Sequence, residues 1–318
     1  MKIDYMEYEE GSNKLKVTLL VISAVIFVAC FSILGIYFAK QYKYSLIRVK
    51  QNTSYNIKNE SNIEENSKNI SENIIENNIS RPEQDVEEII ETKNVKIPKY
   101  TEEAKEKMHT IYSTPTKIAY LTFDDGPSEA VTPLILDLLK KEDIKATFFT
   151  LGMNVDTYPE LVKREYEEGH YIANHGYYHN YAKIYKSTDT VLAEYKKTEE
   201  SIKKAIENEE YNSHLFRFPG GQAGGKYAKI KKQAGKVLND NDISFIDWNC
   251  LNGDAEGGPN TKEKLISYIK KYSKERNNLV ILMHDASSKI LTYETLPDII
   301  EYLRGEGYTF DNFYSIMQ

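Results

Sequence analysis

Hydrophobic and polar positions divide the chain into three stretches. Residues 17–39 read VTLLVISAVIFVACFSILGIYFA, with no charge and no proline. At ~1.5 Å per residue such a helix exceeds the ~30 Å hydrocarbon thickness of a bilayer. It is apolar on every face, whereas a globular helix of this length keeps a polar stripe. A cleaved leader would have a shorter apolar region, about 7–15 residues, ending in a small-residue cleavage site. This run instead continues past Cys30. Val17–Ala39 is therefore predicted to be an uncleaved membrane anchor behind a short cytoplasmic segment, residues 1–16. Lys2, Lys14 and Lys16 precede it and Lys40, Lys43, Arg48 and Lys50 follow it. The flanking charge is nearly balanced and does not set the direction of insertion.

The second stretch, 40–111, is dominated by Asn, Glu, Ser and Lys, and from Gln51 to Lys99 it is nearly free of aromatic residues. Without a sustained period it is predicted to be a disordered polar stalk, with a short helix over Thr101–Tyr112 leading into a domain.

In the third stretch, 112–318, strand-like runs alternate with helix-like ones. The strands are expected at Lys117–Phe123, Lys145–Gly152, Tyr171–His175, His214–Phe218, Ser244–Trp248, Leu279–His284 and Tyr308–Phe313. Between them, Thr132-Pro133 reads as an N-cap with proline in the first turn, and Asn260–Glu263 has capping-box spacing. Gly305 closes a helix after Arg304. Seven strands separated by helices predict one α/β domain built from parallel βαβ units.

Composition alters this picture little. A length of 318 residues suggests two domains, but anchor and stalk leave room for one. The net charge of −7, with 41 basic and 48 acidic residues and no basic run, argues against a nucleic-acid partner. Two cysteines, Cys30 and Cys250, exclude a disulfide scaffold. The 25 tyrosines are compatible with sugar stacking or with an A/T-rich coding sequence.

In parallel α/β folds the loops after the strand C-termini share one rim, where reactive groups gather. The first strand ends on Asp124 and Asp125, ahead of Gly126-Pro127-Ser128. The third leads to His175 and His179, the fourth to Arg217-Phe218-Pro219-Gly220, the fifth to Asp247-Trp248 and the sixth to His284-Asp285. Three of the six histidines fall on this rim, and His109, His170 and His214 read as structural. Taken singly, each group has a plain alternative. Asp124–Pro127 has the composition of a turn, Arg217 of a surface charge, Trp248 of core, and His284 of a hydrogen-bonded core histidine. His175 and His179 are spaced to converge if the chain coils into a helical turn from Gly176. Their convergence on one rim is what favours chemistry.

Two histidines and a carboxylate make a metal set with positions left for water and substrate. With Asp125, His175 and His179 as ligands, Asp124 remains as a base, paired with Arg217. His284 is the available acid for a leaving amine, and Asp247 is expected to hold it as imidazolium.

The ordered set TFDDGPS (Thr122–Ser128), HGYYH (His175–His179), RFPGG (Arg217–Gly221), DW (Asp247–Trp248) and LMH (Leu282–His284) resembles the five motifs of the polysaccharide deacetylases, the NodB-homology enzymes of carbohydrate esterase family 4. The resemblance implies a deformed (β/α)7 barrel. It implies Asp124 as catalytic base, Asp125, His175 and His179 on one divalent cation, Zn2+ or Co2+, and Arg217 orienting the base. It makes His284 the general acid, tuned by Asp247. Trp248 and Leu282 would line an apolar pocket for the acetate methyl group, and the Gly220 backbone N–H would face the oxyanion. Three positions depart from the family pattern: Gly176 stands where Ser or Thr is usual, Gly220 replaces an aromatic residue, and Ser244 replaces the outer Asp of D-x-x-D-W. These bear on substrate fit more than on the catalytic groups.

With the anchor, the resemblance implies a monomeric single-pass membrane protein with its catalytic domain outside the cell. Its expected reaction removes the N-acetyl group from N-acetylglucosamine of peptidoglycan. Alternative substrates are N-acetylmuramic acid, poly-N-acetylglucosamine, chitin oligosaccharides and acetylxylan. A non-catalytic sugar-binding protein on the same fold is the reading from a different class.

Overall fold

Alternating apolar strands and amphipathic helices produce a parallel sheet, and the computed structural model, which describes residues 96–317, contains one. The strands are β1 (Ile118–Asp124), β2 (Thr147–Thr150), β3 (Tyr171–Asn174), β4 (Leu215–Phe216), β5 (Ser244–Phe245), β6 (Cys250–Leu251), β7 (Asn278–His284) and β8 (Thr309–Asp311). The helices are α1 (Glu102–Thr110), α2 (Thr132–Lys141), α3 (Gly152–Thr157), α4 (Pro159–Glu167), α5 (Tyr181–Ile184), α6 (Thr188–Ile206), α7 (Ala228–Asn239), α8 (Lys262–Ser273) and α9 (Ile290–Gly305). The strands pair in the order β5-β4-β3-β2-β1-β7-β6, all parallel. β1 is central: it runs beside all of β7 on one edge, while its other edge is shared by β8 near its start and β2 near its end. Burial on both faces explains why IAYLTFD and NLVILMH are nearly continuous apolar runs. All seven expected strands are present. β6 is an addition, two residues long and too short to leave a periodic signal.

The edge strands β5 and β6 are separated in sequence only by Ile246–Asn249. In a flat sheet, six steps of ~4.8 Å would hold these edges ~29 Å apart, whereas five Cα–Cα steps reach at most about 17 Å. The sheet must therefore curl. It forms a half-barrel whose open side is bridged by these four residues. Ile246 N–H still bonds Phe216 O on the β4 side (3.0 Å), and Asn249 N–H bonds Val280 O on the β7 side (3.2 Å). Asp247 and Trp248 span the gap.

The β1 pleat sorts its side chains between two cores. Ala119, Leu121 and Phe123 pack outward with Ile135, Leu136 and Leu139 of α2 and Leu296, Ile299 and Leu303 of α9. Tyr120 points into the concavity, against Phe149, Leu215, Ile246 and Val280. Ala104 and Met108 of α1, together with Ile111, fill the same concavity with Phe313 and Met317. Lys99 N–H also bonds Met317 O (3.0 Å). α1, expected in the stalk ahead of residue 112, thus packs as a cover on the concave apolar face.

Two helix starts shift by a residue. Thr132 lies inside α2, capped by Val131, and its hydroxyl is engaged elsewhere; Thr261 rather than Asn260 caps α8, accepting from Lys264 N–H (3.2 Å). Cys250 is a buried free thiol. Among the described residues no helix is long and apolar enough to cross a membrane. The expected anchor, Val17–Ala39, and the stalk up to residue 95 lie outside the described residues.

Ile111 is 2% exposed. If α1 belongs to the domain, Ile111→Ala lowers unfolding free energy by about 2–4 kcal/mol, measured by urea denaturation. A loss below ~0.5 kcal/mol, as for a surface position, would remove α1 from the cooperative unit.

Candidate active site

The same pleat that buries Tyr120 sends Thr122 and Asp124 into the concavity, so β1 ends with a carboxylate inside the rim. The chain then turns sharply. Asp125 adopts a left-handed backbone (φ 72°), and Gly126–Pro127 is a cis peptide. Asn154 Nδ2 donates to Asp125 O (2.9 Å) and Leu151 N–H to Gly126 O (2.9 Å). Asp285, fully buried, holds the far side of the turn. It accepts from the Thr132 hydroxyl on Oδ2 (2.5 Å), and its carbonyl accepts from the Ser128 hydroxyl (2.5 Å). A Cβ on residue 126 would overlap the Asp285 carboxylate, so only glycine fits there.

Arg217 follows β4 and crosses the half-barrel, with its side chain fully buried. Its Nη1 donates to Asp124 Oδ1 and to Thr122 Oγ1, both at 2.7 Å. Its Nε reaches Ile246 O (3.2 Å) and its Nη2 reaches Asp247 O (3.3 Å). The guanidinium stacks 3.9 Å from the Phe149 ring centroid.

His175 and His179 converge, but not on a helical turn. Residues 175–180 form an irregular loop with left-handed backbone at Gly176 (φ 82°) and His179 (φ 51°). Successive amide groups of this loop converge on fixed acceptors. Gly176 N–H donates to Asn174 Oδ1 (3.0 Å), and Tyr177 and Tyr178 N–H donate to Glu194 Oε2 (2.8 and 3.0 Å). Glycine at 176 is required by that φ and by Ile184, which a Cβ would meet at 3.0 Å. Glu194 gave no signal in the sequence, since it lies mid-helix in α6.

At the end of β7, His284 Nδ1 lies 2.7 Å from Asp254 Oδ1, and His284 N–H donates to Asp254 Oδ2 (2.9 Å). Thr292 Oγ1 also donates to Oδ2 (2.6 Å). The expected partner was Asp247, and the structure corrects this. Asp247 instead accepts from Gln222 N–H on both oxygens (2.9 and 3.1 Å), tying the loop after Arg217 to the bridge. Asp254 follows β6, the one strand the sequence pattern does not reveal, which is why the strand-end argument passed it by. Trp248, Leu282 and Gly220 come to the same rim. Trp248 lies 5.9 Å from the Arg217 guanidinium, and Leu282 shares the concave pleat of Val280 and His284. Gly220 is left-handed (φ 73°).

The polysaccharide deacetylase profile matches residues 112–238. A peptidoglycan-N-acetylglucosamine deacetylase of Bacillus cereus is 36% identical over 203 residues, covering 62% of this chain and 70% of that protein. This chain belongs to the polysaccharide deacetylase family. A Bacillus subtilis member, the peptidoglycan-N-acetylmuramic acid deacetylase PdaA, is 32% identical over 214 residues, 67% of this chain and 76% of its own length. Among solved structures, a Streptococcus mutans CE4 esterase superposes with a TM-score of 0.60 at 32% identity, covering 65% of this chain and 90% of that one.

In this polysaccharide deacetylase the side chains of Asp125, His175 and His179 fit a divalent cation. Their ligand atoms lie within 4.8 Å of one another. Asp125 Oδ1 is buried without a hydrogen-bond partner, and it lies 3.6 Å from His175 Nε2 and 3.4 Å from His179 Nε2. His175 Nδ1 sits 2.8 Å from Arg217 O, which fixes its proton there and leaves Nε2 as a lone pair. Burial lowers the His175 titration to about 3, so the ring is neutral, as a ligand must be. Burial pushes the Asp124 carboxyl up, opposed by Arg217 and then His284. Burial alone would lower His284, but the hydrogen bond and charge of Asp254, with Asp124 and Asp125, raise it to about 9. Asp254 is drawn below its usual range: burial would raise it, and His284, Thr292 and Lys289 outweigh that.

His284 is therefore protonated at neutral pH. Because its folded value exceeds the ordinary ~6.5, its contribution to stability is complete below ~6.5 and is lost as pH rises through about 9. In Asp254→Asn the imidazole titration, followed by NMR on the metal-free protein, should fall by at least ~1 unit. An unchanged titration would show that Asp254 does not govern His284.

Proposed function

We propose that this protein hydrolyses the acetamide of N-acetylglucosamine residues in peptidoglycan, releasing acetate and leaving a free amine. The observation that carries the reading is the placing of two groups of opposite character around one cleft, an arginine-held carboxylate (Asp124) and a carboxylate-held imidazolium (His284). Asp125, His175 and His179 would hold a divalent cation, Zn2+ or Co2+. When bound, it would acidify water and polarise the acetamide carbonyl.

The chain's own residues supply the proton traffic. Asp124 Oδ1 is occupied by Arg217, which leaves Oδ2 to receive a proton from the attacking water. The water oxygen then bonds to the carbonyl carbon. The Gly220 backbone N–H faces the oxygen that gains charge. His284 gives its proton to the amide nitrogen as the C–N bond breaks, so the amine departs neutral. Trp248 and Leu282 form an apolar wall suited to the methyl group. Arg217 orients Asp124 and opposes the rise that burial imposes on its carboxyl, while Asp254 orients His284 and holds it protonated.

The substrate assignment draws on the peptidoglycan relatives. N-acetylmuramic acid, the sugar named for the Bacillus subtilis relative, is the second candidate. The apolar run Val17–Ala39 supports a single-pass anchor joined by a polar stalk to a deformed (β/α)7 barrel, and a peptidoglycan substrate would require that domain outside the cell.

The full chain, supplied with Zn2+ or Co2+, should release acetate from peptidoglycan, and Asp124→Asn should lower kcat by ~10²–10⁴-fold. Undiminished release by Asp124→Asn, or after chelation, would reject the mechanism. Mass analysis of the digested product names the deacetylated sugar. Protease added to intact cells should remove the domain, and full protection would reverse the proposed topology.

A further inference from the structure

The helix α5 begins two residues after His179. The Asn180 side chain caps it by accepting from Lys183 N–H (3.1 Å), which turns the chain and sets Tyr181 beside His179. The Tyr181 ring centroid lies 5.4 Å from that of His179, with the planes at 60°. Its hydroxyl stands 2.7 Å from the point where a Cβ on residue 220 would be, so the tip of Tyr181 occupies the space that Gly220 opens. Tyr181 also differs from the buried tyrosines around it. Tyr185 and Tyr211 donate to backbone carbonyls of Pro219 and Ile172, and Tyr195 to the Asn212 side chain. The Tyr181 hydroxyl has no hydrogen-bond partner among the described residues, and its side chain is 42% exposed.

A tyrosine hydroxyl left free beside a histidine of this cluster is a donor awaiting an acceptor. The ionisable side chains facing the cleft are a carboxylate pair, which can only accept, and an imidazolium committed to the leaving nitrogen, so the Gly220 N–H is the other protein donor for the acetamide oxygen. An acetamido sugar presents the complementary atom, a carbonyl oxygen. We propose that Tyr181 contacts the substrate directly, its hydroxyl donating to the acetamide oxygen and its exposed ring face bearing on the sugar. This rests on the deacetylase reading above. Glycine at 220 is what gives the hydroxyl its place, so the side chain missing from the loop after Arg217 is supplied from α5.

The test compares the full chain with Tyr181→Phe and Tyr181→Ala in three measurements: acetate release from N-acetylglucosamine oligosaccharides, calorimetric binding of the same oligosaccharides without added metal, and Zn2+ affinity. Tyr181→Phe should lower kcat/KM ~10–100-fold, somewhat below the loss of a full oxyanion donor. Its Zn2+ affinity should stay within ~2-fold of wild type, since the ring that packs on His179 is kept. Tyr181→Ala should also weaken metal-free oligosaccharide binding by ~5–10-fold, as loss of both ring contact and hydrogen bond. If the wild type binds the oligosaccharide without releasing acetate, and Tyr181→Ala weakens that binding, hydrolysis is rejected and the sugar contact stands. A Tyr181→Phe kcat/KM within ~2-fold of wild type overturns the proposal. So does a loss matched by an equal loss of Zn2+ affinity, because Tyr181 would then only support His179.

Discussion

One fully buried guanidinium organises this molecule. Arg217 touches β1 through Thr122 and Asp124, the bridge through the carbonyls of Ile246 and Asp247, and the histidine loop through its own carbonyl on His175. Desolvating such a charge costs several kcal/mol and is offset only when every donor finds an acceptor in good geometry. That condition couples distant parts of the chain. The half-barrel must curl far enough to present the bridge carbonyls, β1 must hold its register to present Asp124, and β4 must end where it does. A shift in any of them would strand a buried charge. The residue that orients Asp124 is thus also the one that closes the sheet around it.

Two carboxylates that support the site likewise have assigned partners. Asp254 is met by an imidazole, a backbone N–H and a hydroxyl, and Glu194 by two backbone N–H groups. These carboxylates touch no reacting atom in the proposed reaction, yet they decide where His284 and His179 stand. The supporting set comes from helices and loops away from the motifs, so chemistry and scaffold are distributed over different segments of the chain.

The parts legible in the sequence are those with a period or a local composition. Continuous apolar runs mark the doubly buried strands β1 and β7, and the strand-end rule brings Asp124, Asp125, His175, His179, Arg217 and His284 to one rim. What escaped is what depends on tertiary pairing. β6 is defined only by the edge it lies against, and with β6 unseen, Asp254 did not register as a strand-end residue. The conformation of the histidine loop depends on Glu194, whose i, i+4 environment in α6 looks like any solvated helix face. The packing of α1 over the concave face left no signal either, because α1 looks polar in isolation, burying only Ala104 and Met108 along its length. The tyrosine surplus also gains a partial account. Several tyrosines are core residues whose hydroxyls cap carbonyls that phenylalanine would leave bare, including Tyr171 on Ser213 O and Tyr308 on Arg276 O.

The pairing of β1 with β7 has a consequence for the order in which the protein matures. Asp125 and its two histidines lie within one run of sequence, whereas β1 waits for a partner more than 150 positions downstream. A chain emerging from the ribosome therefore makes its nearest-neighbour strand pairs first and its central pair late, since closing a long loop must precede that contact. The proposed cation-binding groups come earlier in the chain and the proposed proton donor later. An unfinished chain can therefore hold Asp125, His175 and His179 close while lacking His284, so the proposed reaction would wait for the strand that carries it.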